Sequence, residues 1–504
     1  MHEIIDKIPI SHSLKMPKLK GHTKIELTDV NTGEVEVIES DNMVTDGLES
    51  WMNRFGHFNS FISGTAQCTA WWKTLLGGIL LIDSNLPTTA KYMPASAKMV
   101  GNCYYQAVNA GVVTEMGSYN VVESSATDDQ VVLVYDWLTS QANGTIRSIS
   151  LTTRMGGYMG YGNETSRSTL DKWGFLGWQG SGAFYVMWNY STSTGSENSL
   201  CEPLIVGNHL YCHNRGSGTA GGGIGANTSA DTEVVVYYTN IDITEADVLL
   251  RIPNQTSTGG EWDNRRYPIS EWHYTISFMI PPHPNTLRCC LAGTAFPDCY
   301  LWIPDRQLAS GASCDLYLMD VTQERVVTLT IYNNTGLTIQ NSDWSRLNIY
   351  LLDDTYMFCR FTDGTHGKVN YRTGELVGLV ANNIGVYWYH YSGGLPLNEI
   401  APNIYAVNTS GASSWLYNSV KNTFTPFNGS VNMTSSDNNY THQYRPNLDA
   451  IDFTQRYYRD AGSNYIQRFH NPLRLMTINN LPEPVVKTPS KTMKVTYTIS
   501  RASS

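Results

Sequence analysis

"DVTQERVVTL" (320–329), "NYRTGELVGL" (370–379) and "NSVKNTFTPF" (418–427) share one pattern. Each opens on Asp or Asn, passes through a five-residue turn region, and then places apolar residues at its seventh and tenth positions: Val326 and Leu329, Leu376 and Leu379, Phe424 and Phe427. A strand-like run precedes each copy, "CDLYLM", "THGKV" and "SSWLY". Asp and Asn suit the first position because their short side chains accept hydrogen bonds from the backbone of the turn. The intervals are 50 and 48 residues, the period expected of a β-propeller blade. Between the copies lie "LNIYLLDDTYMFCRF", "IGVYWYHY" and "PNIYAV", and further back "GNHLYCH" and "TEVVVYYTNIDI", all readable as short strands. Extended back to about residue 200, that period leaves room for roughly five blades.

Working outward, "TKIELTDVNTGEVEVIES" (23–40) reads as two strands around Asn31-Thr32-Gly33, with apolar residues alternating with charges. Met43 to Phe55 is the best helix pattern, with Val44, Leu48, Trp51, Met52 and Phe55 on one face. "VVLVYDWLTSQANGTIRSISLTT" (131–153) places two strand patterns around Asn143-Gly144, the dipeptide of a tight hairpin. "GGILLID" reads as a buried strand and "MGGYMGYGNETSRST" (155–169) as a Gly/Tyr surface loop. At the far end Met493, Val495, Tyr497 and Ile499 alternate cleanly, a lone strand that needs a partner and is expected to return to the N-terminal region. Residues 1–22 read as an extended arm, broken by Pro9 and Pro17 and solvated by Lys15, Lys18 and Lys20.

Composition agrees with a strand-rich chain. Of 504 residues only 15% are charged, while Gly (42) and Tyr (31) are abundant, a profile of tight turns and pleated surfaces. The net charge of −10 lacks the basic footprint of a nucleic-acid binder. The longest apolar stretch, 75–82, is far short of a membrane span, and "MHEIIDKIPISHSLKMPKLKGH" contains no secretory signal. Nine irregularly spaced cysteines with no C-x-x-C pair read as reduced thiols.

Candidate chemistry is sparse. "GSGTAG" (216–221) matches G-x-G-x-x-G but runs into "GGIGANTSADTE", which does not open a helix, so it reads as a loop. His209 and His213 share strand parity, but Cys212 faces the other way and Cys201 is the only other nearby cysteine, short of a zinc set. Asp353/Asp354, Glu261/Asp263 and Asp298/Asp305 are the carboxylate pairs that glycoside hydrolysis would need, and each also suits a turn. No nucleophile elbow, zinc-protease helix or P-loop occurs. No metal, cofactor or catalytic residue is expected. Trp and Tyr cluster in "EWHYTISF", "GVYWYHY" and "TAWW", fit both for a sugar-stacking surface and for blade cores.

"KIELTDVNTGEVEVIESDNMVTDGL", "GGILLID", "YDWLTSQANGTIRSISLTT" and the final "KTMKVTYTIS" together resemble the N-terminal region of structural proteins of tailed bacteriophages and related prophages. The resemblance covers about residues 20–165 and the last strand. It implies a virion protein assembled in the bacterial host cytoplasm, of the tail fibre or tail tip kind. A head-surface decoration protein and a polysaccharide-degrading tailspike-type enzyme are the alternatives. The expected architecture is all-β. An N-terminal β-sandwich with one helix (23–200) is closed by the C-terminal segment (441–504), and a β-propeller-like domain (201–440) is inserted between them. Expected partners are further copies of the chain, with a trimer among the options, other phage tail or capsid proteins through residues 1–22 and the sandwich, and a host-surface glycan or protein. No nucleic acid and no membrane insertion are expected. Loops gather at the ends of a propeller and carry recognition. "GGEWDNRRY" (259–267), "YHYSGGLP" (389–396) and "TSSDNNYTHQY" (434–444) are therefore the expected contact surface. Trp262, Tyr267, Tyr389, Tyr391 and Tyr440 would stack on the ligand, and Arg265 and Arg266 would reach its anionic groups.

Overall fold

The computed structural model describes residues 18–62, 69–111, 113–159, 186–193, 204–206, 209–213, 223–240, 265–266, 274–341, 346–380, 384–386, 388, 396–407, 414–427, 434–435, 438–445, 450–457, 463–471 and 473–502. They form an all-β protein in two parts. The first is a ten-stranded antiparallel sheet with one main helix, and the second is a series of separate antiparallel sheets.

The large sheet runs in the order Met99–Tyr104, Gly78–Ile82, Gly144–Thr152, Thr477–Lys487, β2 (Val35–Val44), β1 (Leu19–Asp29), Lys491–Arg501, Gln130–Trp137 and Ser118–Tyr119, with the short Ser125–Ala126 also paired to Gln130–Trp137. Its ends meet: the Asn102 N–H donates to Glu115 O at 3.0 Å and the Gly117 N–H to Asn102 O at 2.8 Å. The expected sandwich is thus a single sheet curled into a nearly closed barrel. Closure removes edges that two separate sheets would leave open. The interior is filled by alternate residues of its strands, among them Ile25 and Leu27, Val131 and Leu133, and Met493, Val495, Tyr497 and Ile499. The last strand pairs with β1 along eleven positions and with Gln130–Trp137 on its other side, so it returns to the N-terminal region as its pattern required.

Three local expectations are corrected. The helix α1 spans Asp46–Phe55, because Met43 and Val44 are held as strand against Ile478 and Thr477. Leu48, Trp51 and Met52 still face the core. The arm ends earlier than residue 22, since Leu19 to His22 already pair with Arg501 to Thr498; residues 1–17 lie outside the described residues.

The strands around Asn143-Gly144 do not form a hairpin. Gln130–Trp137 pairs with the C-terminal strand, and Gly144–Thr152 pairs with Thr477–Lys487 and Gly78–Ile82. The connection is an arch between opposite parts of the barrel, and its tip is buried: Gln141 and Ala142 are almost fully enclosed. The Lys487 ammonium donates to Leu138 O (2.8 Å), Thr139 O (3.3 Å) and Asn143 Oδ1 (3.0 Å), tying the arch to the strand beside it. Burial pulls this lysine down to about 8.

The inserted part is a set of antiparallel sheets whose strands follow chain order, the plan of propeller blades. The first is Leu204–Val206, His209–His213, Thr232–Asn240 and Tyr274–Ile280. The second is Leu287–Leu291, Cys299–Pro304, Ala312–Asp320 and Arg325–Asn333, with the short Gly223–Ile224 added at its inner edge. The third is Ile349–Leu351, Tyr356–Arg360, His366–Asn370 and Leu376–Val380, and the fourth Leu397–Ala401, Ile404–Val407, Ser414–Asn418 and Thr423–Phe427. In the fifth, Asn438–Arg445, Ala450–Tyr457 and Ser463–His470 are joined by Val186–Ser193, the earliest strand of the insert. An early strand that completes the last blade ties the two ends of the series together. The sheets therefore use residues 186–470, wider than the 201–440 expected from the visible repeats.

Those repeats are the outer hairpins of blades two to four. Asp320 Oδ1 accepts from the N–H groups of Thr322 and Gln323, Asn370 Oδ1 from Arg372 and Thr373, and Asn418 Oδ1 from Val420 and Lys421. The fifth residue of each turn has positive φ: Glu324 48°, Gly374 80°, Asn422 52°. Asp29 repeats this geometry between β1 and β2, with Gly33 at 73°. The seventh-position residues Val326, Leu376 and Phe424 all pack on the blade core. At the tenth position Leu329 is buried but Leu379 is exposed, because Val377 bulges out opposite Lys368 and Val369 and shifts the register of that blade.

Candidate functional site

Among the described residues, the aromatic surface with the most regular geometry is a column on the first blade. Tyr211, Tyr238 and Tyr274 stand directly opposite one another on three adjacent strands. Tyr211 and Tyr238 stack with ring centroids 5.3 Å apart and planes 20° apart, and Tyr238 and Tyr274 at 5.1 Å and 26°. His209 meets Tyr238 edge-on at 5.6 Å. This spacing follows from the fold, since paired strands lie about 4.8 Å apart and opposed rings of that separation stack. Burial falls along the column: Tyr211 is 6% exposed and Tyr274 54%. Burial pushes the Tyr211 phenol up, and Tyr238, Glu324 and Asp298 add to that. The two carboxylates belong to turns of the second blade, and the Tyr300 hydroxyl donates across to Tyr211 O at 2.9 Å, so the column lies at the seam between blades. An aromatic face with acceptors beside it suits a neutral sugar, which offers an apolar ring face and hydroxyl donors.

The residues expected from sequence are placed differently. Trp262, Tyr267, Tyr389 and Tyr391 lie outside the described residues. Arg265 and Arg266 form a two-residue strand parallel to Tyr190 and Ser191 at one edge of the fifth blade's sheet. Tyr440 is not in a loop: it lies in the strand Asn438–Arg445, opposite Gln455. It is in the same sheet as the arginines but four strands away, about 19 Å at ~4.8 Å per strand, so they do not form one contact point. The backbone ladder makes "NNYTHQYR" a strand although its side chains show no apolar alternation.

The remaining candidates resolve into scaffold. Asp353 Oδ1 accepts from the N–H groups of Thr355 and Tyr356, and Asp354 Oδ1 from the Thr355 hydroxyl. Asp298 and Asp305 flank the six-residue strand Cys299–Pro304, which puts them about 23 Å apart at ~3.3 Å per residue, well beyond the roughly 5–10 Å of a glycosidase pair. Asp305 also faces Arg288 at 3.6 Å. Glu261, Asp263 and "GSGTAG" lie outside the described residues. No metal-binding cluster occurs among the described residues, and His209 is part of the aromatic column. Cys299 and Cys314 are buried thiols pushed up to about 12.

Sequence reasoning passed over Glu399, on the first strand of the fourth blade. It accepts from the Thr294 hydroxyl and, at 2.7 Å, from the Asn403 N–H. Burial raises its carboxyl above the usual range. With one oxygen tied to the second blade and the other to its own turn, Glu399 acts as a strut between sheets. Of the aromatic clusters, "EWHYTISF" contributes Tyr274 to the column, while Trp71 and Trp72 of "TAWW" and Trp388 of "GVYWYHY" are buried in cores.

No family model matches this chain, and no curated protein matches it. Solved structures similar to it include the computationally designed Ika8 protein, at 11% identity over 74% of each chain with a TM-score of 0.21. They also include the WD40 β-propeller domain of Doa1, at 9% identity over 57% of this chain and 93% of that one, with a TM-score of 0.22. Scores of that size bear on neither fold nor function, and the blade assignment rests on strand order alone.

Proposed function

We propose that this chain is a structural protein of a tailed-bacteriophage virion, an appendage of the tail fibre or tail tip kind that binds the host surface. The observation that carries the reading is a division of labour within the fold. Both β1 and the last strand are built into the barrel, while the blades issue from the interval between them. The barrel is then the mounting part and the blades the presenting part. The sequence resemblance supports this, since it falls on the barrel strands. The tyrosine column supplies a surface for a neutral host glycan, to which Trp262, Tyr267, Tyr389 and Tyr391 would add.

Gold-labelled antibody against this protein, applied to intact particles, should decorate the tail end; decoration of the head would select the head-surface alternative, and none at all would end the virion reading. Purified protein should adsorb to host cells, and Tyr274→Ala should weaken adsorption several-fold with thermal stability nearly unchanged. Undiminished adsorption by that variant would remove the column from the contact surface.

A further inference from the structure

Among the described residues, closure of the barrel is interrupted along part of β2. Along β2 the strand Thr477–Lys487 pairs only with Met43 and Val44, then departs toward Gly144–Thr152. Where it leaves, contact is carried by side chains: the Ser40 hydroxyl and the Asn479 amide bond each other at 3.1 and 2.9 Å. From Val35 to Asp41 the outer side of β2 has no strand partner among the described residues. The register shows which groups this leaves. The Asp29 N–H donates to Glu34 O, so by antiparallel alternation Glu36, Ile38 and Ser40 turn their backbone groups to β1. Val35, Val37, Glu39 and Asp41 therefore direct theirs outward. Val35 and Val37 are each 49% exposed. A bare edge with exposed β-branched residues is a template for strand addition.

We infer that this edge receives the N-terminal arm of a second copy of the chain. The arm has the matching pattern: Ile8, Ile10, Leu14 and Met16 share one parity with His12, while Lys7, Pro9, Ser11, Ser13 and Lys15 share the other. That is the period of a strand with one apolar side. Pro9 fits when Ile8 and Ile10 are the bonding residues, because its missing N–H then faces away from β2. Charge is complementary. Residues 7–18 carry Lys7, Lys15 and Lys18 and no acid, while the edge carries Glu34, Glu36, Glu39 and Asp41, partly met by Lys491 at 2.8 Å from Glu36 and His22 at 3.0 Å from Asp41. Length suffices, since 17 residues reach about 55 Å and the edge from Val35 to Asp41 spans about 20 Å.

The donor is another copy because of where the chain enters. β1 lies on the far side of β2, and Leu19 starts it at the end where β2 finishes. At that end the near edge is already taken by Thr477 and Ile478, and the Thr45 N–H donates to Met476 O at 3.1 Å as α1 begins. A chain's own arm would have to turn over this closed end within three or four residues. The arm of a neighbour meets no such obstacle.

The test uses the full chain. Two versions with different tags are co-expressed, one carrying a photo-crosslinking residue at position 10. Crosslinks from that position to residues 35–41 of the other tagged version are expected. Crosslinks confined to the version that carries the probe would mean the edge takes its own arm, and none to 35–41 would mean the arm goes elsewhere; either overturns the inference. In light scattering, Val37→Pro and Ile10→Pro should each move the assembled protein to monomer with unchanged melting, whereas Pro9→Ala should leave it assembled. Continued assembly of folded Val37→Pro would equally overturn it.

Discussion

His366 should make the third blade acid-sensitive, by an amount that the structure sets. It lies on the third strand of that blade, 3% exposed, in a cluster with two aromatic rings that also stack on each other at 5.8 Å. Phe358 stacks on it at 5.6 Å with planes 7° apart, and Trp388 at 6.0 Å and 13°. The Trp388 Nε1–H donates to His366 Nε2 at 3.0 Å, so that nitrogen is an acceptor and the ring is neutral. Its Nδ1 has no partner among the described residues. Burial, with Arg360 adding to it and Asp363 opposing, lowers the imidazole from 6.5 to about 4. The unfolded chain takes up a proton near 6.5 while the folded chain resists until about 4. The contribution of this group is therefore whole above about 6.5 and is lost as pH falls toward 4. The full loss is about 3 kcal/mol, and about 2 kcal/mol is gone by roughly pH 5.

His366→Gln isolates the effect, because the amide oxygen still accepts from Trp388 but does not titrate. Urea unfolding of both proteins at about pH 7 and about pH 5 gives the comparison. The parent should lose about 2 kcal/mol more than the variant over that interval, after carboxylate titration common to both cancels. Parallel losses would mean that protonation is accommodated without breaking the Trp388 bond, and the argument from the stacked, buried ring would fail.

Asn370→Ala removes the acceptor for two turn N–H groups and should cost about 1 kcal/mol in urea unfolding, with Asn370→Asp near neutral; equal losses for both would show that the acceptor is not what matters. Lys487→Met removes three bonds to the arch, but Leu138 O keeps the Gln141 N–H and Thr139 O the Asn143 amide, so the cost should be only about 1 kcal/mol. Because Lys487 sits below its unfolded value of 10.5 at about 8, the parent should gain stability between those values relative to the methionine variant. A flat difference across that range would show that the lysine is not desolvated when folded.

Much of the fold was legible in the sequence because it rests on local rules. Asp320, Asn370 and Asn418 begin turns whose chemistry is complete within five residues, and the Met493-to-Ile499 alternation identifies a buried face wherever the strand pairs. What stayed illegible depends on distant partners. Asn143-Gly144 is a strong hairpin signal, but both flanking strands find longer ladders elsewhere, and nothing near 143 encodes the pull of Lys487 or of the final strand. Leu379, apolar at the tenth position like the buried Leu329, is exposed because Val377 bulges out of its own strand and changes its parity. "NNYTHQYR" has no apolar period and so reads as a loop around Tyr440; backbone pairing to "AIDFTQRY" makes the strand without one. The tyrosine column was half visible. Aromatic density around 274 was plain, but the alignment of Tyr211, Tyr238 and Tyr274 exists only once three strands, each about thirty positions from the next, are in register.

The same dependence makes the last strand the most consequential segment. Lys491–Arg501 is the shared neighbour of β1 and Gln130–Trp137 and buries Met493, Val495, Tyr497 and Ile499 to 2% exposure or less. The Tyr497 hydroxyl also donates to Thr477 Oγ1 at 2.6 Å. At about 2 kcal/mol per buried side chain this segment contributes on the order of 8 kcal/mol before its ladder bonds are counted, comparable to the whole stability of a domain. Deleting residues 491–504 should therefore unfold the barrel. Blades two to four do not use that strand; they share a core with the first blade, from Leu204 to Tyr417, while a second core joins the fourth blade to the barrel through Ile400, Ile404 and Leu416. Hydrogen exchange read by mass spectrometry should show protection lost across 19–29 and 130–152 and kept across 287–380, with the fourth blade weakened. Protection retained in β1 would mean that the barrel closes without its last strand. Loss throughout would mean that the blades cannot stand without the barrel, and that the two form one cooperative unit.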